Sequence, residues 1–545
     1  MAEDEFMEWE NNANESDEVQ EITEKKPIFV LVEIAQLEKL LQRCHECGRL
    51  PGGYRTGLPR NINWIQTGSN LTAHYRCSCK QKCSWSTQSY IDGTETRVGN
   101  VALVAAAHAS SIGYADLSSM FNAAHIPIMK KRSFISLSHH FVFPTIEDKY
   151  YQMIADLKTS LNGPLSISLD GQYDSPGFSA ELCAVTAIEE TSKKVIGIAC
   201  VNKKEVEGVS GRMELAGVKK VLESLERTHQ LESITLDKHL QVVAFLKKEG
   251  YSYYFDPWHQ LKSMKKEIKK NLKECKTEEE KEELKNLGRR FITHIYTVVE
   301  RAHRETIKEE VFGFFLHVIG QHQWEAGRMK DIIPIGATNV GKKFSEHESF
   351  STILRCQHQD RLTTQSPPLD PSSKAYRLVL SIACKTGFIN DLERLKYGNF
   401  TSYVESFHSV AIHYRPKRIY FPPKGFEIRT MLAAIAFNEN REAEERGERT
   451  IKEVYMTYSK SKGEMTRKCK KGPIVEAWKN EIVKKTIERK KNHGPGLPLS
   501  EDDMDDGIDL LVDHLEDVLN FDDMNDDEVL AEEFFVDDEL NNLNI

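Results

Sequence analysis

Residues 164–199 read PLSISLDGQYDSPGFSAELCAVTAIEETSKKVIGIA. Leu165 to Leu169 form a short run of leucine and isoleucine with serines between, the composition of a buried strand. The run stops at Asp170-Gly171, which puts an acidic side chain on the last residue of the expected strand. Asp174-Ser175-Pro176-Gly177 supplies a turn. A second apolar strand is expected over 178–188 and a third over 194–201, with the polar turn Glu189-Glu190-Thr191-Ser192 between them. Three consecutive strands with a carboxylate closing the first describe either a metal-dependent catalytic sheet or a β-meander whose aspartate caps a turn. The stretch alone does not choose between these two, and the choice depends on whether a later strand carries a second acid.

Downstream, Arg212 to Arg227 has apolar residues at helical spacing. LESITLDKHL (231–240) is a second apolar run that ends on an acid, Asp237. Leu240 to Lys248 reads as a helix and Tyr251 to Phe255 as a fifth strand. Three strands, helix, strand, helix, strand argue for an α/β class with a mixed sheet and helices on its faces. This order resembles the ribonuclease H-like fold. The resemblance implies that the first and fourth strands lie side by side with matching ends adjacent, which would bring the carboxylates of Asp170 and Asp237 together. Two such aspartates can hold divalent cations through oxygen ligands, and a third acid completes the site. Glu405 in YVESFHS, on a helix-like segment late in the chain, is one choice for it, and Glu214 on the first helix is its rival.

The chain around this core divides by composition. Residues 1–26 are acidic and poor in aliphatics and read as disordered. Residues 27–100 form a cysteine-rich module, in which a strand and a short helix (IFVLVEIAQLEKLLQR) precede CHECG, with Cys44 and Cys47, and RCSCKQKCSW, with Cys77, Cys79 and Cys83. Two tight turns that each offer two thiolates to one tetrahedral ion make a zinc-ribbon-like module with a structural Zn²⁺. Its ligands would be Cys44, Cys47, Cys77 and either Cys79 or Cys83, with His45 and His74 as spare donors. Residues 101–160 read as helical, and 117–137 as a helix, turn and helix ending in a basic stretch suited to DNA binding, dimerisation or plain packing. Residues 161–445 would be the catalytic domain, interrupted by a helical insertion at about 260–390 in which a helix or helical hairpin is expected over 258–287 and helical stretches over 288–304 and 309–321. Residues 446–500 are basic, consistent with nuclear import or phosphate contacts, or with a solvated helix face. Residues 501–545 alternate acids with apolar residues and read as a mostly disordered tail that folds on a partner or on the basic body.

The formal net charge of −10 hides a sharp asymmetry. The first 26 residues carry ten acids and two lysines, residues 501–545 carry nineteen acids and no Lys or Arg, and the body between is therefore strongly basic. A basic body between acidic ends is the pattern of a nucleic-acid binder whose tails compete for its basic surface. No apolar run reaches the length a membrane helix needs, and the chain shows no secretory signal pattern. The eleven cysteines include a Cys-x-x-Cys and a Cys-x-Cys, a metal-like grouping that points to a reducing compartment.

SLDGQYDSPGFSA (168–180), TLDKH (235–239), FDPWHQLKSMKK (255–266) and VESFHS with YRPKRIYF (404–409, 414–421) together resemble the catalytic core of eukaryotic cut-and-paste DDE transposases. The likeness is to the group in which an Asp-x-x-His or Cys-x-x-His pair follows the fifth strand, as in the Mutator-like, hAT, P and Kolobok superfamilies, with a Kolobok-like element favoured, active or domesticated. It covers roughly residues 160–440. The resemblance implies a metal-binding triad of Asp170, Asp237 and Glu405 using Mg²⁺ or Mn²⁺, with Asp256 and His259 as supporting residues. It implies DNA nicking and strand transfer in a homo-oligomeric synaptic complex in the nucleus, with no membrane partner. Lys262, Lys265, Lys266, Lys269, Lys270 and Lys273 would contact the DNA backbone or form a solvated stripe. The alternatives are a DNA-binding regulator that keeps the fold without catalysis and a ribonuclease H-like nuclease.

Overall fold

The computed structural model describes residues 29–51, 59–175, 180–301, 304–334, 344, 348–356, 367–395, 401–417, 419–459 and 464–494. Both acidic ends and half of the Asp174–Gly177 turn lie outside these residues. The chain separates into two compact units, Met1–Leu103 with Ser118–Lys130, and Val104–Leu117 with Lys131–Ile545. No described helix is long and apolar enough to cross a membrane.

The first unit holds helix α1 (Ile34–Leu41) and a three-stranded antiparallel sheet of β1 (Asn63–Thr67), β2 (Asn70–Cys77) and β3 (Lys80–Ser86) in the order β1-β2-β3. The strand expected before α1 does not form. Phe29 to Val32 are exposed, so these apolar side chains have no described partner to pair with. The buried core is small: Leu41, Cys44, Ala73, Tyr75 and Cys83, with Ile62, Trp64, Cys77 and Trp85 packed around it. Buried Arg60 braces it by donating to the carbonyls of Gln42, Arg49 and Arg76 while stacking over the Tyr75 ring at 4.5 Å.

Helices α2 (Val98–Ala109) and α3 (Tyr114–Ala123) straddle the division between the units. The second unit continues with α4 (Lys131–Leu137), a π-helical turn (Ser138–Val142) and α5 (Phe143–Ser160). Then come β4 (Leu165–Tyr173), β5 (Leu182–Glu189), β6 (Val195–Asn202), α6 (Met213–Glu226), β7 (Leu231–Leu236), α7 (Leu240–Glu249) and β8 (Tyr253–Phe255). These five strands form one mixed sheet in the order β6-β5-β4-β7-β8, in which β4–β5 and β5–β6 are antiparallel while β4–β7 and β7–β8 are parallel.

Alternation along the strands sorts the two faces. Leu165, Ile167, Leu169, Cys183, Val185 and Ala187 join the main core with Val218, Val221 and Leu225 of α6. Gly217 lets that helix approach closely, since a Cβ there would stand 2.5 Å from Val185 Cγ2. Leu182 and Ala184 point the other way and pack on Phe426. Phe426 belongs to α15 (Pro423–Glu445), which follows α14 (Ser402–Tyr414). Asn438 of α15 meets the edge of β6 with both ends of its amide: Val195 N–H donates to Oδ1 at 2.8 Å, and Nδ2 donates to the Val195 carbonyl at 2.9 Å. That pairing blunts an edge strand.

Between β8 and α14 the chain leaves the sheet for α8 (Pro257–Asn271), α9 (Glu278–Arg301), α10 (Ile307–His317), the short β9 (Gly327–Arg328), α11 (Met329–Ile332), β10 (Ser349–Phe350), α12 (Lys374–Ala383) and α13 (Thr386–Leu392). It returns at Leu395, which bridges Phe255 in parallel, with Phe255 N–H donating to the Arg394 carbonyl at 2.9 Å. The expected break at Gly288 is absent, and α9 runs straight through it. Gly288 is instead where α9 meets α8, a Cβ there lying 2.9 Å from Ile268 Cδ1. After α15 the basic segment folds as an antiparallel hairpin, β11 (Ile451–Ser459) with β12 (Glu464–Lys471), and then α16 (Ala477–His493). α16 is more than a solvated face: Trp478, Ile482 and Thr486 are buried, and Glu481 accepts from Lys149 of α5 at 2.7 Å.

His108 and His294, both in this unit, are held neutral. His108 is buried, with Nε2 2.7 Å from Ser138 Oγ, and loss of solvation pushes it down to about 3. His294 donates Nε2–H to the Glu310 carbonyl at 3.0 Å and is pushed down by burial to about 4. Because the unfolded imidazoles (near pH 6.5) take up protons that the folded ones refuse, their contribution to stability is complete above that value and is lost as pH falls. At pH 5 each is expected to cost about 2 kcal/mol relative to pH 7. Urea melts at the two pH values check this, and the drop is expected to shrink in His108→Gln.

Candidate active site

Leu169 of β4 is in register with Leu236, the last residue of β7, and both side chains enter the α6-side core. The next residue of each strand therefore turns to the opposite face, and these residues are Asp170 and Asp237. Asp170 does not end its strand as the sequence suggested. β4 continues to Tyr173 because antiparallel β5 pairs with it throughout, Asp170 opposite Thr186 and Tyr173 opposite Cys183. It is the parallel neighbour that stops at Leu236, leaving Asp170 open on one side.

α14 lies across the same face. Its Glu405 accepts a hydrogen bond from His259 Nε2 at 2.7 Å, and His259 Nδ1 stands 3.4 Å from Asp237 Oδ2. His259 sits in the first turn of α8, so a single imidazole joins the end of β7 to the helix that follows the insertion. Asp256, three residues earlier, is buried and accepts from Thr401 N–H at 2.9 Å and Thr401 Oγ1 at 2.8 Å, which fixes the start of α14. The Asp-x-x-His pair is thus split by role: Asp256 anchors α14, and His259 touches two of the acids that the sequence singled out.

The electrostatics follow from this crowding. Asp170 is pushed well above the usual carboxylate range by loss of solvation and by the charges of Asp237, Glu214 and Glu405, although Gly171 N–H donates to its Oδ1 at 2.7 Å. Burial raises Asp237 to about 6 in spite of the nearby charge of His259. For His259, burial alone would favour the neutral form, but the hydrogen bond to Glu405 and the charge of Asp237 outweigh it and lift it to about 9. His259 is therefore an imidazolium at neutral pH, clamped between two carboxylates. The side chains of Asp170, Asp237, His259 and Glu405 keep between 24% and 38% of their surface exposed, so a substrate can reach them.

Glu214, the rival third acid, is also near. It comes from α6 on the opposite face and lies over Gly171, where a Cβ would meet its Cγ at 2.8 Å, and Tyr173 O–H donates to it at 3.4 Å. Glu405 shares the face of the two aspartates, and Glu214 reaches around the strand to approach them.

The sequence reading did not assign His408, whose Nδ1 is 3.5 Å from Asp170 Oδ2. Burial and the charge of Arg415 push it down to about 3. Its signal was available: His408 follows Glu405 by one helical turn, so both project from the same side of α14. Lys238, next to Asp237, forms an ion pair with Asp391 of α13 and ties the tip of β7 to the insertion.

Among the described residues, Asp170, Asp237 and Glu405 are not a group that brings three ligand atoms within 4.8 Å of one another, so a shared cation would require the three carboxylates to close up. Asp237 Oδ1 is buried without a hydrogen-bond partner among the described residues, and like charge from Asp237, Glu214 and Glu405 adds to the burial that raises Asp170. Oxygen-only donors of this kind fit Mg²⁺ or Mn²⁺, which would use the idle lone pairs and relieve the repulsion.

In the first unit, Cys44, Cys47, Cys77 and Cys79 bring their sulfurs within 4.8 Å of one another. Cys44 and Cys79 are 3.7 Å apart and Cys47 and Cys77 3.6 Å. These are close to the roughly 3.8 Å that separates two sulfurs bound to a tetrahedral zinc at 2.3 Å. Cys83 lies 4.0 Å from Cys44 but groups with Glu46 and Cys79 instead. Burial disfavours the Cys44 thiolate, yet the backbone N–H groups of Cys47 and Glu46 outweigh it and bring the thiol down to about 5.

α8 is seated by the apolar stripe Leu261, Met264 and Ile268. That leaves Lys265, Lys266, Lys269, Lys270 and Lys273 exposed on its outer side, with Lys262 half-buried nearer the carboxylates.

Comparison with curated proteins and with solved structures returns no match. Residues 28–213 match the family model described as Mutator-like transposase, one of the superfamilies that the motifs resemble. The matched stretch takes in the cysteine cluster and Asp170 and ends before Asp237, His259 and Glu405. This part of the chain, less than half of its length, is similar to Mutator-like transposases and supports a transposase family for the protein.

Proposed function

We propose that the chain is a DDE-type transposase whose second unit is a ribonuclease H-like phosphoryl-transfer domain. The observation that carries this reading is the side-by-side exit of Asp170 and Asp237 from two parallel strands, with Glu405 presented to the same face by a helix that follows a long insertion. The family match supports transposase-related function independently of that geometry.

In this reading Asp170, Asp237 and Glu405 hold Mg²⁺ or Mn²⁺. Bound there, such ions supply the charge that activates an attacking oxygen and stabilises a leaving oxygen. The chain's own contribution is positional. Asp256 fixes the first turn of α14 through Thr401, His259 sets the distance between Glu405 and Asp237, and Gly171 N–H orients Asp170. The exposed lysines of α8, one helix from the acids, would neutralise backbone phosphates and give binding a steep salt dependence. The cysteine cluster would hold a structural Zn²⁺. DNA, a second copy in a synaptic complex and a nuclear location complete the proposal, with the acidic tail a competitor for the basic surface.

The deciding experiment offers the full-length protein Mg²⁺ or Mn²⁺ with duplex DNA carrying the flanking terminal repeats, and in parallel an RNA–DNA hybrid. Nicking at the repeat followed by joining to a second duplex is the expected result. Cleavage of the hybrid alone would make the protein a nuclease, and tight salt-sensitive binding without cleavage would make it a regulator. Either outcome overturns the proposal.

A further inference from the structure

The insertion carries a second group of metal-ligating side chains, well separated in sequence from the cysteine cluster. α10 ends at His317. Gly320 then takes a left-handed conformation (φ +86°), and Gln321 N–H donates back to the Leu316 carbonyl at 3.0 Å. This closing turn reverses the chain. It brings His322 beside His317, with ring centroids 5.0 Å apart.

Cys356 arrives from a different segment, pinned to the same place. Its N–H donates to the His322 carbonyl at 3.0 Å, Gln323 bridges Arg355, and Trp324 N–H donates to the Leu354 carbonyl at 3.0 Å. The Trp324 indole N–H donates to the Ile353 carbonyl at 2.8 Å and its ring packs against Phe350. Cys356 Sγ ends 3.4 Å from His317 Nδ1, and one ligand atom from each of His317, His322 and Cys356 lies within 4.8 Å of the other two. In a tetrahedral zinc site with bonds of 2.0–2.3 Å, nitrogen and sulfur donors stand about 3.3–3.6 Å apart, so small side-chain rotations suffice.

We propose that His317, His322 and Cys356 form a second, structural Zn²⁺ site that staples the end of α10 to the 353–356 segment. Two imidazoles and one thiolate are borderline-soft donors that suit zinc and not the magnesium or manganese of a carboxylate site. The location supplies the need. Between α10 and α12 the described regular structure is limited to β9, α11 and β10, each four residues or fewer, so the packing there has little ladder to hold it. The fourth position is left to water. The site does not rest on the transposase reading, since its ligands His317, His322 and Cys356 are a set separate from Asp170, Asp237 and Glu405.

Native mass spectrometry of the full-length, reduced, zinc-loaded protein tests it. The expected result is one zinc beyond that held by the cysteine cluster, lost in Cys356→Ser and in His322→Gln but kept in Cys77→Ser. Cobalt substitution gives a second readout: the Cys77→Ser protein should still show a single-thiolate charge-transfer band, absent when Cys356→Ser is added. A wild-type protein whose zinc is all removed by Cys77→Ser, or a Cys356→Ser protein that keeps its full zinc content, overturns the site. Should Cys356→Ser fail to fold, the wild-type count and the cobalt spectrum of Cys77→Ser still decide, and no band there refutes the proposal.

Discussion

Asp170→Asn and Asp237→Asn are each expected to lower metal-dependent DNA cleavage by about 10³-fold or more, since a lost ligand removes several kcal/mol of charge stabilisation. DNA affinity should be unchanged, because the lysines of α8 remain. The same substitutions should leave the metal-free protein at least as stable as the wild type. Asn keeps the shape of Asp and an oxygen to accept from Gly171, while the cost of burying a carboxylate beside other acids, which lifts Asp170 and Asp237, disappears. For Asp237 the shift would amount to about 3 kcal/mol if fully transmitted, and with its side chain 38% exposed a gain of about 1 kcal/mol is the sounder figure. Loss of cleavage together with a raised melting temperature is a signature that a merely structural aspartate cannot give. Glu405→Gln should follow the aspartates, and Glu214→Gln, across the strand, should cost less. Wild-type cleavage rates in both Asp variants would remove the assigned site.

Zinc removal should have the largest effect on the first unit. The cluster around its cysteines contains five buried apolar side chains, two of them cysteines, too few for this part to fold on burial alone. A structural zinc contributes on the order of 10 kcal/mol to modules of this size. Stripping the metal with a chelator, or replacing Cys47 or Cys77 by Ser, should therefore unfold residues 29–97 as a block while the five-stranded sheet persists. Hydrogen exchange checks this directly: β1 to β3 should lose protection while β4 to β7 keep it. Protection unchanged in β2 after complete metal removal would show that the thiols are only packing.

The sheet was readable because each strand carries its own signal: apolar runs bounded by turn residues, and an acid after Leu169 and Leu236. What no local pattern showed was that β4 runs past Asp170, since that extension depends on its pairing with the next strand, β5. Gly288 misled for a similar reason, since a glycine inside a helix can mark either a break or a contact, and only Ile268 across the interface decides. The lysines dominate the basic segment after α15, yet its strand pairing runs through the uncharged stretch Val454 to Ser459, rich in β-branched and aromatic residues. His408 was missed although one helical turn links it to Glu405, because the motif drew attention to the acid and its period was not followed.

The return of the chain at Leu395 bears on the order of assembly. Asp170 and Asp237 are made early and take their places as soon as β7 joins β4, but Glu405 can be delivered only after the whole insertion has folded and Leu395 has found Phe255. Pairing across so long a loop is slow to form, and during synthesis it comes last. A growing chain on the ribosome thus carries two of the three acids for much of its synthesis without the third. In the proposed site the insertion acts as a timer, withholding the third acid until about three-quarters of the chain has been made.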